Sequence, residues 1–201
     1  MLDTSLRTVV LLDGSIESIT CAAIALDRSE NNDQSEKVLG LSFSELNEES
    51  ANPSMQLAIN RQFEFIGCTP SSSDLSPTSG RLGLVKALDL AGPDGTIFWG
   101  RRCTEDPDAI AETLALVDHL AGIARYSQPA ALIQFDLPLL DLTAAQVLDL
   151  ASTLGAPLGA CWSCLRAGAG PCGECPRCLS WLEASKTSGR PLPWAETPAV
   201  G

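Results

Sequence analysis

The chain has 201 residues, which is enough for one compact domain and too few for two large ones. Because 45% of the residues are hydrophobic and 19% are charged, the composition excludes a disordered tail. Its 13 Lys and Arg against 25 Asp and Glu give a net charge of −12, which argues against a protein that binds nucleic acid or anionic membranes through a basic surface.

Short apolar runs and helical patterns alternate in the first part of the sequence. The β-branched run at residues 8–12, followed by Asp-Gly-Ser, is typical of a strand buried on both faces. In chain order, the prediction is a strand over 8–12, a helix over 17–28, a polar loop over 29–36, a strand over 37–43 and a helix over 54–65. These elements predict a repeating strand–helix architecture.

The same alternation continues after a segment rich in turn-forming residues, from Thr69 to Gly80, which we interpret as a surface loop. The later elements are a helix over 82–90, strands over 96–99 and 131–135, a helix over 108–126, and a helix that Thr143 caps and that runs to Leu154. Such alternation indicates βαβ units. We therefore expect an α/β fold with a Rossmann-like, open and mostly parallel sheet of four or five strands, and ligands at the carboxyl ends of the strands.

The composition changes after residue 156, where Gly, Pro and Cys become frequent. A short helix is predicted from Pro176 to Lys186, and a Pro-containing tail from Ser188 to Gly201 is expected to be frayed or loosely docked. The predicted units are a main domain over 1–156, a cysteine motif with a short helix over 157–187, and a tail over 188–201.

Five of the eight cysteines lie close together, at positions 161, 164, 172, 175 and 178. Cys-x2-Cys turns bring two thiolates to one point, and a tetrahedral zinc site needs four ligands at about 2.3 Å. The run Cys172-x2-Cys175-x2-Cys178 is also compatible with iron–sulfur ligation, and buried inert cysteines are a third interpretation. The spacing favours a metal, with five cysteines for four positions.

This segment resembles the C-terminal zinc motif of the 7-cyano-7-deazaguanine synthase (QueC-like) family of the PP-loop ATP pyrophosphatase superfamily, in which Trp-Ser-Cys precedes a Cys-Gly-x-Cys-x-x-Cys run. Three further segments are similar to the family: Asp136–Thr143, Ile97–Gly100 and Val9–Cys21. The resemblance implies an adenine nucleotide alpha hydrolase-like fold with a small C-terminal zinc-binding knuckle. It also implies a structural Zn²⁺ on Cys164, Cys172, Cys175 and Cys178, with Cys161 as the spare cysteine.

The family's phosphate loop, Ser-Gly-Gly-x-Asp-Ser, falls on a degenerate stretch of this sequence: Leu12, Asp13, Gly14, Ser15, Ile16, Glu17 and Ser18. Gly14 and Ser18 are kept, whereas Asp13, Ser15 and Glu17 replace Ser, Gly and Asp. A carboxylate at position 13 repels phosphates, and Ser15 is expected to strain a turn that favours positive φ. The family's Lys near the later helix start falls at Ala144.

The resemblance implies two hypotheses for function. The first is ATP-dependent conversion of 7-carboxy-7-deazaguanine to its amide and nitrile in the queuosine or deazapurine pathway, with ATP and Mg²⁺ as cofactors and a deazapurine as substrate. The second is a catalytically inactive paralogue that serves as a zinc-stabilised binding or scaffold module, or in deazapurine-based modification of nucleic acid or protein. The altered loop makes loss of ATP chemistry plausible, and no catalytic residue is assigned.

The remaining expectations concern location, partners and single residues. No run approaches the ~20 apolar residues of a membrane span, so we predict a cytoplasmic protein. We expect no direct binding to nucleic acid or membranes. We also expect the chain to form a homodimer or to bind a partner protein. His119 is predicted to lie on the surface, and Trp99 and Trp162 to pack in the core or stack a deazapurine. The acidic segment 45–49 is predicted to be a solvated loop, and Cys21, Cys68 and Cys103 have no assigned site.

Overall fold

A computed structural model describes residues 7–31, 37–44, 52–68, 78–104, 106–168 and 170–194 of the chain. Its strands are β1 (Arg7–Leu12), β2 (Lys37–Ser44), β3 (Thr78–Ser79), β4 (Thr96–Phe98) and β5 (Gln134–Asp136). They form one five-stranded sheet in the order β3-β2-β1-β4-β5, in which every neighbouring pair is parallel. The expectation of an open parallel α/β sheet is confirmed.

Six α-helices connect and cover the strands: α1 (Ile16–Asn31), α2 (Pro53–Phe65), α3 (Gly80–Ala91), α4 (Pro107–Ser127), α5 (Ala144–Thr153) and α6 (Pro176–Ser188). Local chemistry fixes several of their starts. Asn52 and Asp106 cap α2 and α4, each followed by proline in the first helical turn, and Thr143 forms a reciprocal capping box with Gln146 at α5. Gly155 follows α5 with a φ of 67°, as a helix-terminating glycine does.

The sheet is buried on both faces because the side chains of β1 alternate between two apolar clusters. Val10 and Leu12 pack in a cluster with residues of α1, α2, α5 and α6. Val9 and Leu11 pack in the other, with residues of α3 and α4. This arrangement explains why the β1 sequence is a continuous apolar run rather than an alternating one.

The first strand is the point at which the strand order reverses. From β1 the chain moves outward through β2 to β3, and then returns to the opposite side of β1 with β4 and β5. In open α/β sheets, ligands bind outside the carboxyl ends of the strands at such a switch point. The loop after Leu12 and the segment after Phe98 both leave the sheet at this point.

Three elements differ from the sequence prediction by more than two residues or were not predicted. Strand β3 (Thr78–Ser79) lies within the segment 69–80 that was predicted as a surface loop, because two residues are too few to give a strand pattern. Helix α1 continues to Asn31, into the segment predicted as a polar loop, because a polar composition does not exclude exposed final turns of a helix. Strand β5 is short and begins at Gln134, whereas the apolar run predicted a strand from Ala131. Within the described residues, no helix has both the length and the apolar character needed to cross a bilayer.

Candidate functional site

Four cysteine thiols converge in the C-terminal part of the chain. The Sγ atoms of Cys164, Cys172, Cys175 and Cys178 all lie within 4.8 Å of one another. Two of the distances, Cys164 Sγ–Cys175 Sγ and Cys172 Sγ–Cys178 Sγ, are 4.0 Å. Tetrahedral thiolates at about 2.3 Å from a zinc ion would be about 3.8 Å apart. The group is therefore suited to hold one metal ion of this kind.

Backbone N–H groups point at the same sulfur atoms. The N–H groups of Arg166 and Cys172 donate to Cys164 Sγ over 3.3 and 3.4 Å, and that of Cys175 donates to Cys172 Sγ over 3.3 Å. Gly173, with a φ of 71°, permits the turn between Cys172 and Cys175. Donors aimed at sulfur favour the thiolate form, which is the form that binds a metal.

The pKa values of two of these thiols follow the contacts, whereas burial raises the pKa of Cys178 to about 12. Burial acts to raise the pKa of Cys175, but backbone and thiol hydrogen bonds lower it to about 6. Backbone hydrogen bonds at Glu174 and Cys175 also lower the pKa of Cys172. Cys161 differs, since burial, together with the nearby acids Glu17 and Asp13, strongly raises the pKa of its thiol. It lies outside the four-cysteine group and packs in the core cluster that contains Val10.

The loop between β1 and α1 is closed by its own side chains. Asp13 Oδ1 accepts a hydrogen bond of 2.9 Å from the Ser15 N–H, and Ser15 Oγ accepts one of 3.1 Å from the Ser18 N–H. Ser15 thus acts as the N-cap of α1. Its φ is not positive, because Thr104 is the only non-glycine residue with positive φ in the described part of the chain. The expectation of strain at Ser15 was wrong, since Gly14 supplies the positive φ, at 83°.

Gln62 of α2 completes this closure from the other side. Its Oε1 accepts from the Gly14 N–H over 3.1 Å and from Ser18 Oγ over 2.9 Å, and its Nε2 donates to the Ser15 carbonyl over 2.9 Å. The residue is completely buried. Three backbone N–H groups that could face an anion at this helix terminus, those of Gly14, Ser15 and Ser18, are therefore already hydrogen-bonded to side-chain oxygens of the chain itself.

A cleft of about 70 Å³ lies at the switch point of the sheet. Asp13, Ser15 and Glu17 reach it from the closed loop and the first turn of α1. Gly100, Arg101 and Arg102 line it from the segment after β4, and Arg177 from the first turn of α6. The cleft thus combines two carboxylates and three guanidinium groups.

The acids and arginines of this cleft are held by specific contacts. Arg102 Nε donates to Glu17 Oε1 over 3.3 Å, and its guanidinium lies 5.6 Å from the centre of the Trp181 ring. The Arg101 guanidinium lies 6.0 Å from the centre of the Trp99 ring. Burial raises the pKa of Glu17, and the neighbouring Arg102 opposes that rise. The cleft is therefore a partly desolvated site in which charges interact strongly.

The other residues singled out in the sequence have structural positions. Trp99 packs edge-on against Phe43, with ring centres 5.9 Å apart, and Trp162 packs with Ala58 and the metal-site cysteines. His119 is exposed on α4 and Ala144 begins α5. Cys21 and Cys103 are buried and Cys68 is half-buried, all as free thiols. The acidic segment 45–49 lies outside the described residues.

Two parts of the site were not found from the sequence. In the sequence, Gln62 is only one polar residue within a predicted helix, and its hydrogen-bond partners are distant along the chain. The adjacent pair Arg101–Arg102, directly after a predicted strand, was the available signal for the cleft. Arg177 has no such signal, because only folding of the knuckle brings it to the other two arginines.

Comparison with known proteins gives partial matches to one family. Residues 96–189 match the family described as "Queuosine biosynthesis protein QueC". A 7-cyano-7-deazaguanine synthase of Synechococcus sp. (strain CC9902) is 32% identical over 108 residues, or 53% of this chain and 42% of that protein. The same-named protein of Prochlorococcus marinus (strain MIT 9312) is 37% identical over 95 residues, or 47% of this chain and 37% of that protein.

An archaeal protein matches as well. The 7-cyano-7-deazaguanine synthase of Archaeoglobus fulgidus is 31% identical over 83 residues, which is 41% of this chain and 34% of that protein. In all three alignments the matched segment spans less than half the length of the curated relative. The family match contains the cleft arginines and all four cysteines of the metal group, whereas the closed loop after β1 lies before its first residue.

Proposed function

Because the chain is a divergent QueC-like protein, we propose that it is a zinc-stabilised binding module for a small purine-like molecule and does not activate that molecule with ATP. The family supports the class of ligand, as the matched relatives are 7-cyano-7-deazaguanine synthases. The observation that carries the proposal is the closure of the loop after β1 by Asp13 and Gln62.

Binding of a nucleotide triphosphate by this loop would require two displacements. A phosphate oxygen would have to replace Asp13 at the Ser15 N–H and Gln62 at the Gly14 N–H. It would then face the Asp13 carboxylate, and two like charges about 4 Å apart near a protein surface repel by about 4 kcal/mol. Removing Gln62 from its contacts would also break its hydrogen bonds with Ser18 Oγ and the Ser15 carbonyl in a buried region. The loop therefore disfavours ATP.

The four cysteines would hold a structural zinc ion, and four thiolates leave no open coordination position for catalysis. When bound, the ion supplies a fixed cross-link between the segment around Cys164 and the start of α6. Residues of the chain itself then connect the cysteine segment to the cleft. The backbone N–H of Trp162 donates to the Gly14 carbonyl over 2.7 Å, so the cysteine segment is joined directly to the closed loop. Arg177, between two of the cysteines, is thereby oriented toward the cleft.

Calorimetric titration of the zinc-loaded protein with ATP and Mg²⁺ tests the proposal. We expect no binding tighter than about 1 mM in the wild-type protein, because the loop amides are occupied. Asp13→Ser removes the repelling charge, and Asp118→Ser, on the exposed surface of α4, is the matched control with the same charge change. Micromolar binding of ATP by the wild-type protein, or ATP turnover in the presence of 7-carboxy-7-deazaguanine and ammonia, would contradict the proposal.

A second candidate function is the ATP-dependent synthase reaction itself, carried out with a remodelled phosphate site. The three arginines of the cleft favour it, since they could offset the charge of a triphosphate in place of the loop. Mass spectrometry of a reaction with 7-carboxy-7-deazaguanine, ammonia, ATP and Mg²⁺ separates the two candidates. Formation of the amide or nitrile would favour the synthase over the binding module.

A further inference from the structure

The arginines of the cleft are unusual for this protein, which has only 13 basic residues against 25 acidic ones. Three of the basic residues, Arg101, Arg102 and Arg177, line one cleft of about 70 Å³. With Asp13 and Glu17 both ionised, the cleft still has an excess of one positive charge. A concentration of guanidinium groups in a strongly acidic protein indicates a site for an anion.

The geometry points to binding of a single phosphate monoester group by Arg101, Arg102 and Arg177 in this cleft. The inference deepens the proposed function, on which it rests, by naming one chemical group of the ligand. Guanidinium groups match phosphate oxygens through paired N–H donors, and three of them can serve a terminal phosphate that has three free oxygens. The small volume of the cleft suits one phosphate rather than a triphosphate chain.

Two of the arginines are already oriented before any ligand binds. Glu17 accepts from Arg102 Nε, the Thr104 hydroxyl accepts from Arg102 Nη1, and the Trp181 ring lies beneath the same guanidinium. The Trp99 ring supports Arg101 in the same way. Side chains fixed in advance lose less conformational entropy when a ligand binds, so the site is organised for binding.

Arg177 is the third arginine of the cleft. It lies in the first turn of α6, between Cys175 and Cys178, and within the described residues no carboxylate forms an ion pair with it. Its positive charge lines the cleft and acts on Glu17 from across it. Ser15 Oγ, which accepts from the Ser18 N–H, still carries a hydroxyl hydrogen that it can donate to a phosphate oxygen.

Neighbouring acids set the strength of the site. Asp13 is engaged with the Ser15 N–H and Glu17 with Arg102, so each carboxylate has a donor of its own. Their negative charge excludes polyanions, which would place further phosphates beside Asp13 and Glu17. One phosphate with the three arginines is the arrangement that leaves the fewest like charges in contact.

Titration calorimetry of the full-length, zinc-loaded protein with inorganic phosphate, and separately with guanosine 5′-monophosphate, tests the inference. We expect binding of at least one of these probes, weakened about tenfold or more by Arg177→Gln and falling with salt concentration. Arg101→Gln, which leaves the Arg102–Glu17 pair intact, should weaken binding similarly. Arg125→Gln, which removes a positive charge from the exposed face of α4, should leave binding unchanged.

The outcomes distinguish the ligand source and the fate of each proposal. Binding of inorganic phosphate alone identifies free phosphate, and tighter binding of the nucleotide identifies a phosphate monoester on a purine; both support the site when they depend on Arg177. Absence of binding by both probes, or affinities unchanged in Arg177→Gln and Arg101→Gln, overturns the inference. ATP turnover with Arg177-dependent phosphate binding would instead overturn only the proposed absence of ATP chemistry.

Discussion

Glu17 is the residue of the cleft at which burial and a neighbouring positive charge act on the pKa in opposite directions. Its side chain is only 17% exposed and lies between Arg102 and Asp13. Burial disfavours the ionised carboxylate and raises its pKa, while Arg102 favours the ionised form. The Glu17 carboxylate thereby joins the first turn of α1 to Arg102, in the segment after β4.

The raised pKa of Glu17 predicts a pH-dependent contribution to stability. The folded protein keeps a proton on Glu17 at pH values where the unfolded chain, with a pKa of 4.5, has released it. This contribution is present below pH 4.5 and is lost as the pH rises through the folded pKa. Urea unfolding should therefore show Glu17→Gln gaining stability relative to wild type as the pH rises above 4.5.

A matched variant separates this effect from general titration. Glu112→Gln makes the same carboxylate-to-amide change on the exposed surface of α4, away from the cleft, and serves as the control for Glu17→Gln. If the difference between Glu17→Gln and wild type were independent of pH, the pKa of Glu17 would not be raised by burial.

Residues of the metal group were predictable because their signal is local. Cys172, Cys175 and Cys178 recur at short intervals, and the structure brings them together with Cys164, as the family motif implied. The contacts of Gln62 with Gly14 and Ser18 join α2 to the loop after β1, and no sequence spacing encodes such a pairing. The repulsion of phosphates by Asp13 stays a prediction, and its hydrogen bond to the Ser15 N–H was not foreseen.

At the scale of elements, the close approach of the segment after β4 to α1 defines the width of the cleft. A Cβ atom at Gly100 would lie 2.9 Å from the carbonyl carbon and oxygen of Glu17. Those are backbone atoms of the first turn of α1, so they cannot rotate away as a side chain could. Gly100 therefore lets the two elements meet at the switch point of the sheet.

Gly100→Ala should force these elements apart. We expect a loss of about 1–3 kcal/mol in the free energy of unfolding, the usual cost of overpacking. Gly122→Ala is a suitable control, because the only atom near its Cβ is the end of the Arg125 side chain, at 3.9 Å. Removing that glycine from α4 should instead stabilise the protein by up to about 1 kcal/mol.

Equilibrium denaturation of the two variants in parallel measures the contrast. Equal stabilities for Gly100→Ala and wild type would mean that the segment after β4 moves freely relative to α1. The helices themselves were predicted well, because their caps are encoded locally by Asn52, Asp106 and Thr143. Strand β5 was placed less accurately, since an apolar run does not specify which of its residues pair with β4.

On the scale of the whole molecule, the C-terminal elements share the main core. Trp181 and Leu192 are almost completely buried, in the same cluster as Val10 and Leu12 of β1. Arg190, after α6, pairs with Asp149 of α5 over 2.7 Å. Part of the predicted loose tail is thus firmly docked, at least as far as Trp194. Loss of the metal should therefore disturb the core and not only the cysteine loop.

Metal analysis of the purified protein is expected to give about one zinc ion per chain. Removing the ion with a chelator should lower the free energy of unfolding by several kcal/mol, because binding of a structural zinc ion contributes to folding. Cys172→Ala should lose the metal, whereas Cys161→Ala should retain it, because Cys161 lies outside the group. Elemental analysis and thermal unfolding check both statements. Iron, or zinc bound equally well by Cys172→Ala, would contradict the assignment of four zinc ligands.

The fold class was predictable because alternation of strands and helices allows few topologies. The order of the strands could not be predicted from the sequence, since pairing of β4 with the far side of β1 depends on how α3 and α4 pack together on one face of the sheet. That placement creates the cleft. The sequence therefore indicated that ligands bind at the carboxyl ends of the strands, but it did not indicate which loops meet there.

The hydrogen bond from the Trp162 N–H to the Gly14 carbonyl joins two segments that are synthesised far apart in time. While the chain emerges, the loop after β1 can form its bonds with Gln62 before Trp162 has been made, and the support from Trp162 comes later. Contacts of such large sequence separation slow folding, because the intervening chain must be ordered before they form. Until α6 has been made, the nascent chain lacks Arg177, one of the three arginines of the cleft, so the cleft cannot be complete before that point of synthesis.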